Sequence, residues 1–429
     1  MTTIIHNVDG SITVSVTLAL EGNMMEMENT ILDAVNSVGC VATGEALKCF
    51  DTKGTPIIRE GVKLTSKNRD SKKYQTPFGI IEIKRHVYQS SKGGHIFCPL
   101  EDSAHTIFAA TPKFAQQLSH KYSQGNANSV CLDLKNNHNR IIAKSTIQNV
   151  TNWVGSIATA QEEKWEYELP ELDEPISTIV FSLDGAYVLM ANEGYREAMV
   201  GNLSLYDCEG ERQHTLYLGE APEYGKASFK ERYEHEITCI KARYPDALYL
   251  GIADGAKDNW TFLEQHTQQQ LVDFYHVTEY LAKASHAIFP KKSTAIDRKK
   301  WLSDRCSQLK NDTGAAQTIL EELTPLMESR LTKSIKADLE TTLTYFKNNI
   351  AKNRMNYASH VNKNLPIGSG VTEAACKTLV KQRLCGSGMR WKTKGAKVVL
   401  SLRALVQTTN RWQQFWEKII QGEAQYLMA

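Results

Sequence analysis

The hydrophobic pattern of this chain predicts an α/β fold, on three observations. Between residues 177 and 276, short apolar runs rich in β-branched residues alternate with helical stretches. From 277 to 365 the pattern is helical throughout: Leu331, Ile335, Leu339, Leu343, Phe346 and Ile350 recur every three or four positions. Two of the apolar runs end on the same tripeptide, Asp184-Gly185-Ala186 and Asp254-Gly255-Ala256.

In order along the chain, residues 1–110 read as a mixed α+β region. ITVSVTLAL (12–20) alternates like a strand, MENTILDAVNSV (27–38) reads as a helix, and TPFGIIEIKRHVYQ (76–89) as a long strand or hairpin arm. Residues 111–175 form a helical segment with an acidic edge. Thr111-Pro112 offers an N-cap followed by proline at the first helical position, and 114–122 continue as helix. After the polar break NNHNR (136–140), residues 142–161 form a second helix, with Lys144, Gln148, Asn149 and Asn152 on its surface. Two short helices with a polar second member fit either a helix-turn-helix reader of a DNA groove or a plain helical hairpin. The stretch 162–175 is acidic and contains proline, as a linker or domain edge does.

Residues 176–276 supply STIVFSLD (177–184), EAMVGNLSLYD (197–207) and RQHTLYLG (212–219) as three strands. A helix (229–244), a strand (247–254), a helix between 259 and 270, and a last strand (271–276) follow. Three strands, helix, strand, helix, strand is the element order of a ribonuclease-H-like core. Residues 277–365 then form an all-α insertion, and 366–429 return to the core with a helix at 371–384, a glycine-rich turn at 386–388 and final helices.

The 429 residues carry 50 Lys and Arg against 48 Asp and Glu, yet the charge is unevenly placed. Residues 374–418 hold ten cations against Glu417 alone, a local balance of +9 with Trp391, Trp412 and Trp416 interleaved. Such a segment can neutralise phosphates, although charge runs also occur as plain solvated helix faces. No apolar run is long enough to span a bilayer, and the start lacks a basic-then-apolar secretory pattern. Nine cysteines without a C-x-x-C pair read as free thiols in a reducing cytoplasm.

Asp184, Asp254 and Glu373 together suit a metal site. Mg²⁺ takes a few carboxylates and keeps its other positions for water or phosphate oxygen, and two such ions can serve both sides of a phosphodiester cleavage. Singly, each residue has a plainer reading. Asp-Gly is a common turn, and a first-turn Glu complements a helix dipole. The spacing favours the joint reading: 70 residues separate the two aspartates, and 119 separate Asp254 from Glu373, room for the helical insertion.

Several blocks resemble bacterial insertion-sequence transposases of the DDE class, in the Mutator-like lineage and most of all its Kra group. They are ATGEALKCFDTKGTPI (42–57), CPLE (98–101), ATPKFAQQL (110–118), SLDGA, IADGA-x-x-x-W, D-x-x-H-x-x-E-Y-L (273–281), GSG-x-x-E and R-x-x-GSGMRW (383–391). The resemblance implies Asp184, Asp254 and Glu373 as ligands of Mg²⁺, with Mn²⁺ as a substitute, and Asp273 and His276 as supporting residues near the site. An N-capping Asp with a helix-start His is the plainer reading of that pair. Trp260 would stack on an unpaired base or else serve as core, and Arg383, Arg390, Trp391, Lys392 and Lys394 would hold DNA. The partner would be double-stranded DNA, at transposon-end inverted repeats and target, bound by a homodimer or larger assembly in the cytoplasm. The expected reaction is nicking and strand transfer. A catalytically inactive, transposase-derived DNA-binding protein is the alternative, and a glycoside hydrolase with paired carboxylates a more distant one. Relatives often carry a zinc knuckle, but only His95 and Cys98 stand in its place, so buried free thiols are expected there instead of zinc.

Overall fold

A computed structural model describes residues 2–8, 11–161 and 164–422, with only the backbone of 2–8 defined. It is a mixed α/β protein of two compact units: residues 1–162 with 401–406 and 412–429, and residues 163–400 with 407–411.

The first unit begins with an antiparallel pair, β1 (Thr2–Val8) and β2 (Ser11–Val16). Helix α1 (Met24–Lys48) follows, started by a capping box in which Asn23 and Glu26 exchange side chain-to-backbone hydrogen bonds. It runs ten residues past the expected end at 38, because Leu47 packs on Tyr74, Ile81, Ile83 and Leu100. An antiparallel sheet is built from β3 (Ile57–Arg59), β4 (Val62–Gln75), β5 (Ile80–Ser90) and β6 (Gly93–Phe97), in that order. Strand β4 has no apolar alternation, which hid it in the sequence; it forms by pairing along almost its whole length with the apolar β5. After α2 (Pro99–Ser103) come α3 (Pro112–Gln124), α4 (Ala127–His138) and α5 (Lys144–Gln161). The segment read as two helices therefore has three. The polar run NNHNR begins as the last turn of α4, which Asn126 caps by accepting from the Asn128 and Ser129 amides. Lys144, Gln148, Asn149 and Asn152 are exposed on α5. His95 is exposed, whereas Cys98 is buried in the core.

The second unit holds β7 (Thr178–Met190), β8 (Gly194–Tyr206), β9 (Arg212–Glu220), β10 (Leu248–Ala253) and β11 (Gln269–Val272) in one sheet of order β11-β10-β7-β8-β9. The first three strands form an antiparallel meander, while β10 lies parallel to both β7 and β11. Helix α6 (Ala227–Arg243) puts Phe229 and Tyr233 against Gly201, where a side chain would collide with both rings. Helix α7 (Lys257–His266) stacks Phe262 on Tyr233. A run of helices follows β11: α8 (Phe274–Ile288), α9 (Ala295–Asn311), α10 (Ala315–Leu323), α11 (Lys333–Ala351) and α12 (Tyr357–Val361). Leu339, Leu343 and Phe346 on α11 are buried as its periodicity required. The chain then forms α13 (Gly370–Ala375), one π-helical stretch (Cys376–Lys381), α14 (Gln382–Leu384), α15 (Thr393–Gln407) and α16 (Arg411–Ile420). Among the described residues no helix is long and apolar enough to cross a membrane.

Candidate active site

Strand register brings the acidic residues together. Strands β7 and β10 are parallel and pair last at Phe181 and Gly251, so Asp184 and Asp254, each three residues further on, lie at the same level. Adjacent strands are about 4.8 Å apart. Strand β11 pairs Val272 with Ala253, which sets Asp273 level with Asp254, and the Asp273 amide donates to the Ala253 carbonyl at 3.0 Å. Three aspartates thus stand abreast where the parallel strands end.

Asp184 differs from its sequence reading. It is neither a turn residue nor a strand end: β7 continues through Asp184-Gly185 to Met190, and Asp184 pairs with Val200 of β8. What ends there is its neighbour β10, which frees one side of β7. The Asp184 carboxylate accepts from the Gly185 amide at 2.6 Å and from the Cys376 thiol at 3.6 Å. Burial pushes its pKa above the usual carboxylate range, and the charge of Asp254 adds to the rise. The Gly185 amide, the Cys376 thiol and the charge of His276 oppose this. Two hard carboxylates in mutual repulsion are a donor set suited to Mg²⁺ or Mn²⁺.

The loop after β10 is held from two sides. Asp254 accepts from the Ala256 amide at 3.1 Å, and the Tyr345 hydroxyl of α11 donates to the Asp254 carbonyl at 2.9 Å. Gly255 has φ of +116°, and a Cβ there would lie 2.9 Å from the Tyr345 ring. Glycine is therefore required twice over, by backbone conformation and by the close approach of the ring.

The helix that carries Glu373 is pinned at three points. Asn202 of β8 donates to the Thr372 hydroxyl at 2.6 Å, Cys376 donates to Asp184 of β7, and Asp273 accepts from both the amide and the hydroxyl of Ser369, the latter at 2.6 Å. Glu373 itself is exposed, and its charge reaches Cys376, whose thiol is pushed up chiefly by burial. Among the described residues, no group of three or more His, Cys, Asp and Glu side chains is drawn tightly enough to hold a metal ion. The register brings Asp184 and Asp254 side by side; Glu373 rides on the helix anchored beside them.

Asp273 is wholly buried and caps α8 by accepting from the His276 amide at 3.0 Å. It is a structural tether in addition to a cap, since its second oxygen holds the Ser369 turn. His276 is half-buried and near enough for its charge to lower Asp184.

The expected DNA contacts divide. Arg390, Lys392 and Lys394 are exposed. Trp391 extends the sheet instead: its amide donates to Leu189, its carbonyl accepts from Ala191, and its indole donates to the Leu384 carbonyl at 2.9 Å. Arg383 is buried at 3% exposure with its guanidinium over the Trp391 ring, so its role is internal. Trp260 is likewise core, at 4% exposure under the Arg354 guanidinium 4.0 Å away, and offers no face to a base. For Trp260 the core alternative holds, with Arg354 of the segment between α11 and α12 stacked on it, while Arg383 is withdrawn from solvent by stacking on Trp391.

Sequence reasoning did not assign roles to Ser369, Cys376 or Tyr345. Ser369 lay inside the GSG-x-x-E block, where its position was visible. Cys376 and Tyr345 gave no signal, because each acts through contact with a residue far away in the chain.

Compared with known proteins, the chain matches no family model and no curated protein.

Proposed function

We propose that the chain is a DDE transposase whose second unit is a ribonuclease-H-like core, acting on DNA with Mg²⁺ or Mn²⁺. The observation that carries this reading is the parallel register that sets Asp184 level with Asp254, beside a helix start that presents Glu373. The sheet order β11-β10-β7-β8-β9, with an antiparallel meander and two parallel additions, supports the fold assignment.

Asp184, Asp254 and Glu373 would hold the metal, which when bound supplies charge relief on the phosphate and an activated oxygen nucleophile. The residues around them orient these ligands. Gly185 and Cys376 fix the Asp184 carboxylate, Ala256 and Tyr345 fix the Asp254 loop, and Asp273 fixes the turn ahead of Glu373. The exposed Arg390, Lys392 and Lys394 would meet DNA phosphates, and the exposed polar residues of α5 would meet a groove. Two transposon ends processed together call for at least a dimer on DNA.

The test is Mg²⁺-dependent nicking and strand transfer on DNA carrying the gene with its flanks. Asp184→Asn, Asp254→Asn and Glu373→Gln are each expected to abolish both reactions; wild-type activity in any one removes that residue from the ligand set. The looseness of the acidic group favours one second reading, a transposase-derived protein that binds DNA without cutting it. A normal gel shift with no cleavage in Mg²⁺ or Mn²⁺ would select it.

A further inference from the structure

Strands β4 and β5 pair from Asn68 to Gln75, and from Asn68 to Tyr74 β4 has, among the described residues, no other strand beside it. Strand β6 joins β5 at Tyr88 and Ser90, beyond this stretch. The result is a two-stranded antiparallel ribbon whose faces differ. Residues paired across the strands share a face. The inner face sets Tyr74, Ile81 and Ile83 in the core, and its cations are compensated. Lys72 and Arg85 meet Glu101 at 2.8 and 3.2 Å, and Arg85 also meets Asp70. The outer face carries the pairs Arg69–His86, Ser71–Lys84 and Lys73–Glu82, all exposed except the half-buried His86. Lys67, exposed in the bulge ahead of them, adds a cation at one end. Arg69 donates to the Lys84 carbonyl and shares Asp51 with His86. Lys67, Lys73 and Lys84 have no ion-pair partner among the described residues. Lys84 stands diagonally between Arg69 and Lys73, and like charges so placed repel.

We propose that this outer face seats in the major groove of duplex DNA, which rests on the reading of the chain as acting on DNA and adds a contact surface that no sequence motif marked. The major groove is about 12 Å wide and admits a two-stranded ribbon. Strands about 4.8 Å apart, with their side chains, fill that width. Outward residues recur about every 7 Å along a strand, so Arg69, Ser71 and Lys73 span about 14 Å of groove. The uncompensated lysines gain from displacing counterions at the phosphates, which lysines already held in ion pairs would not. Arg69 keeps further N–H donors, and Ser71 a hydroxyl, for base edges. Exposed lysines also keep a strand from pairing with other molecules. That role alone would leave DNA affinity unchanged when the lysines are replaced by another polar residue.

The experiment titrates full-length protein in EDTA onto a short labelled duplex, read by anisotropy between roughly 50 and 200 mM salt. Lys73→Gln with Lys84→Gln is expected to lower the slope of log affinity against log salt by up to about 2 and to weaken binding at least about tenfold. Lys73→Arg with Lys84→Arg, which keeps both charges, should bind like wild type. Lys299→Gln with Lys300→Gln, an equal change of charge at exposed positions of α9, should do so too. Glu82→Gln, which removes the acid opposite Lys73, should tighten binding. Methyl green, a major-groove ligand, should compete for the duplex where distamycin, a minor-groove ligand, does not. Undiminished binding by the Gln pair on the ribbon, an equal loss in the α9 pair, weaker binding by Glu82→Gln, or competition by distamycin alone would overturn the proposal. Because no metal is present, these outcomes are independent of nicking. Undiminished binding in the ribbon pair with nicking by wild type sinks the ribbon alone, and weakened binding in that pair without nicking by wild type in Mg²⁺ sinks the nuclease alone.

Discussion

Asp184 carries an electrostatic cost that the fold relieves only in part. Its carboxylate is largely buried, faces the charge of Asp254, and receives one amide and one weak thiol donor. Removing that charge should stabilise the metal-free protein and, under the proposed function, end nicking, the exchange commonly found at functional sites. Asp184→Asn is expected to gain about 1 kcal/mol, read as a higher Tm in EDTA. Added Mg²⁺ should raise the Tm of wild type but not of the variant. His214 gives the pH dependence at the same scale. Burial, assisted by the charge of Arg411, pushes its pKa down to about 4. The folded state therefore holds it neutral, and the unfolded chain binds the proton more readily. Its contribution is fully present above the ordinary histidine range near pH 6.5 and is lost as pH falls toward about 4. Thermal melts from pH 7 to 4 should show Tm falling across that window, with a shallower fall in His214→Leu.

Single elements are placed by contacts at their ends. The helix carrying Glu373 begins where Asp273 grips Ser369, and the same aspartate caps α8, so one buried carboxylate joins the end of β11 to two helix starts. Asp273→Ala deletes the cap and strands the Ser369 amide and hydroxyl. The expected loss is about 3 kcal/mol, measured by urea unfolding, whereas Asp273→Asn keeps an acceptor and should lose less. Elements were legible in sequence where their own faces dictated them. The apolar run 177–184 and the stripe of α11 predicted a strand and a helix, and both are present. Strand β4 and the second half of α1 were not legible, since their stability comes from β5 and from the core around Tyr74. Helix α4 was obscured by a polar C-terminal turn that resembles a loop.

At the scale of the molecule, the basic stretch from 374 to 418 is less uniform than its composition. Arg383, Arg403 and Arg411 are buried, Arg411 in an ion pair with Glu236, while Arg390, Lys392 and Lys394 face solvent. Under the proposed function, the exposed cations are the ones available to displace counterions from DNA. Replacing those three by alanine should lower the slope of log affinity against log salt by up to about 3, measured by anisotropy on duplex DNA between 50 and 200 mM salt. A protein built for sugar cleavage would show no such slope.

From the residues alone came the α/β class and the helical stretch after residue 277, because local periodicity is a property of consecutive positions. Folding decided the rest. The pairing of β7 with β10 made Asp184 and Asp254 neighbours, distant hydrogen bonds set the Glu373 helix, and packing withdrew Trp260 and Arg383 from solvent. Proximity between residues far apart in the chain is fixed by strand register and side-chain packing, and neither is a function of any one stretch of sequence.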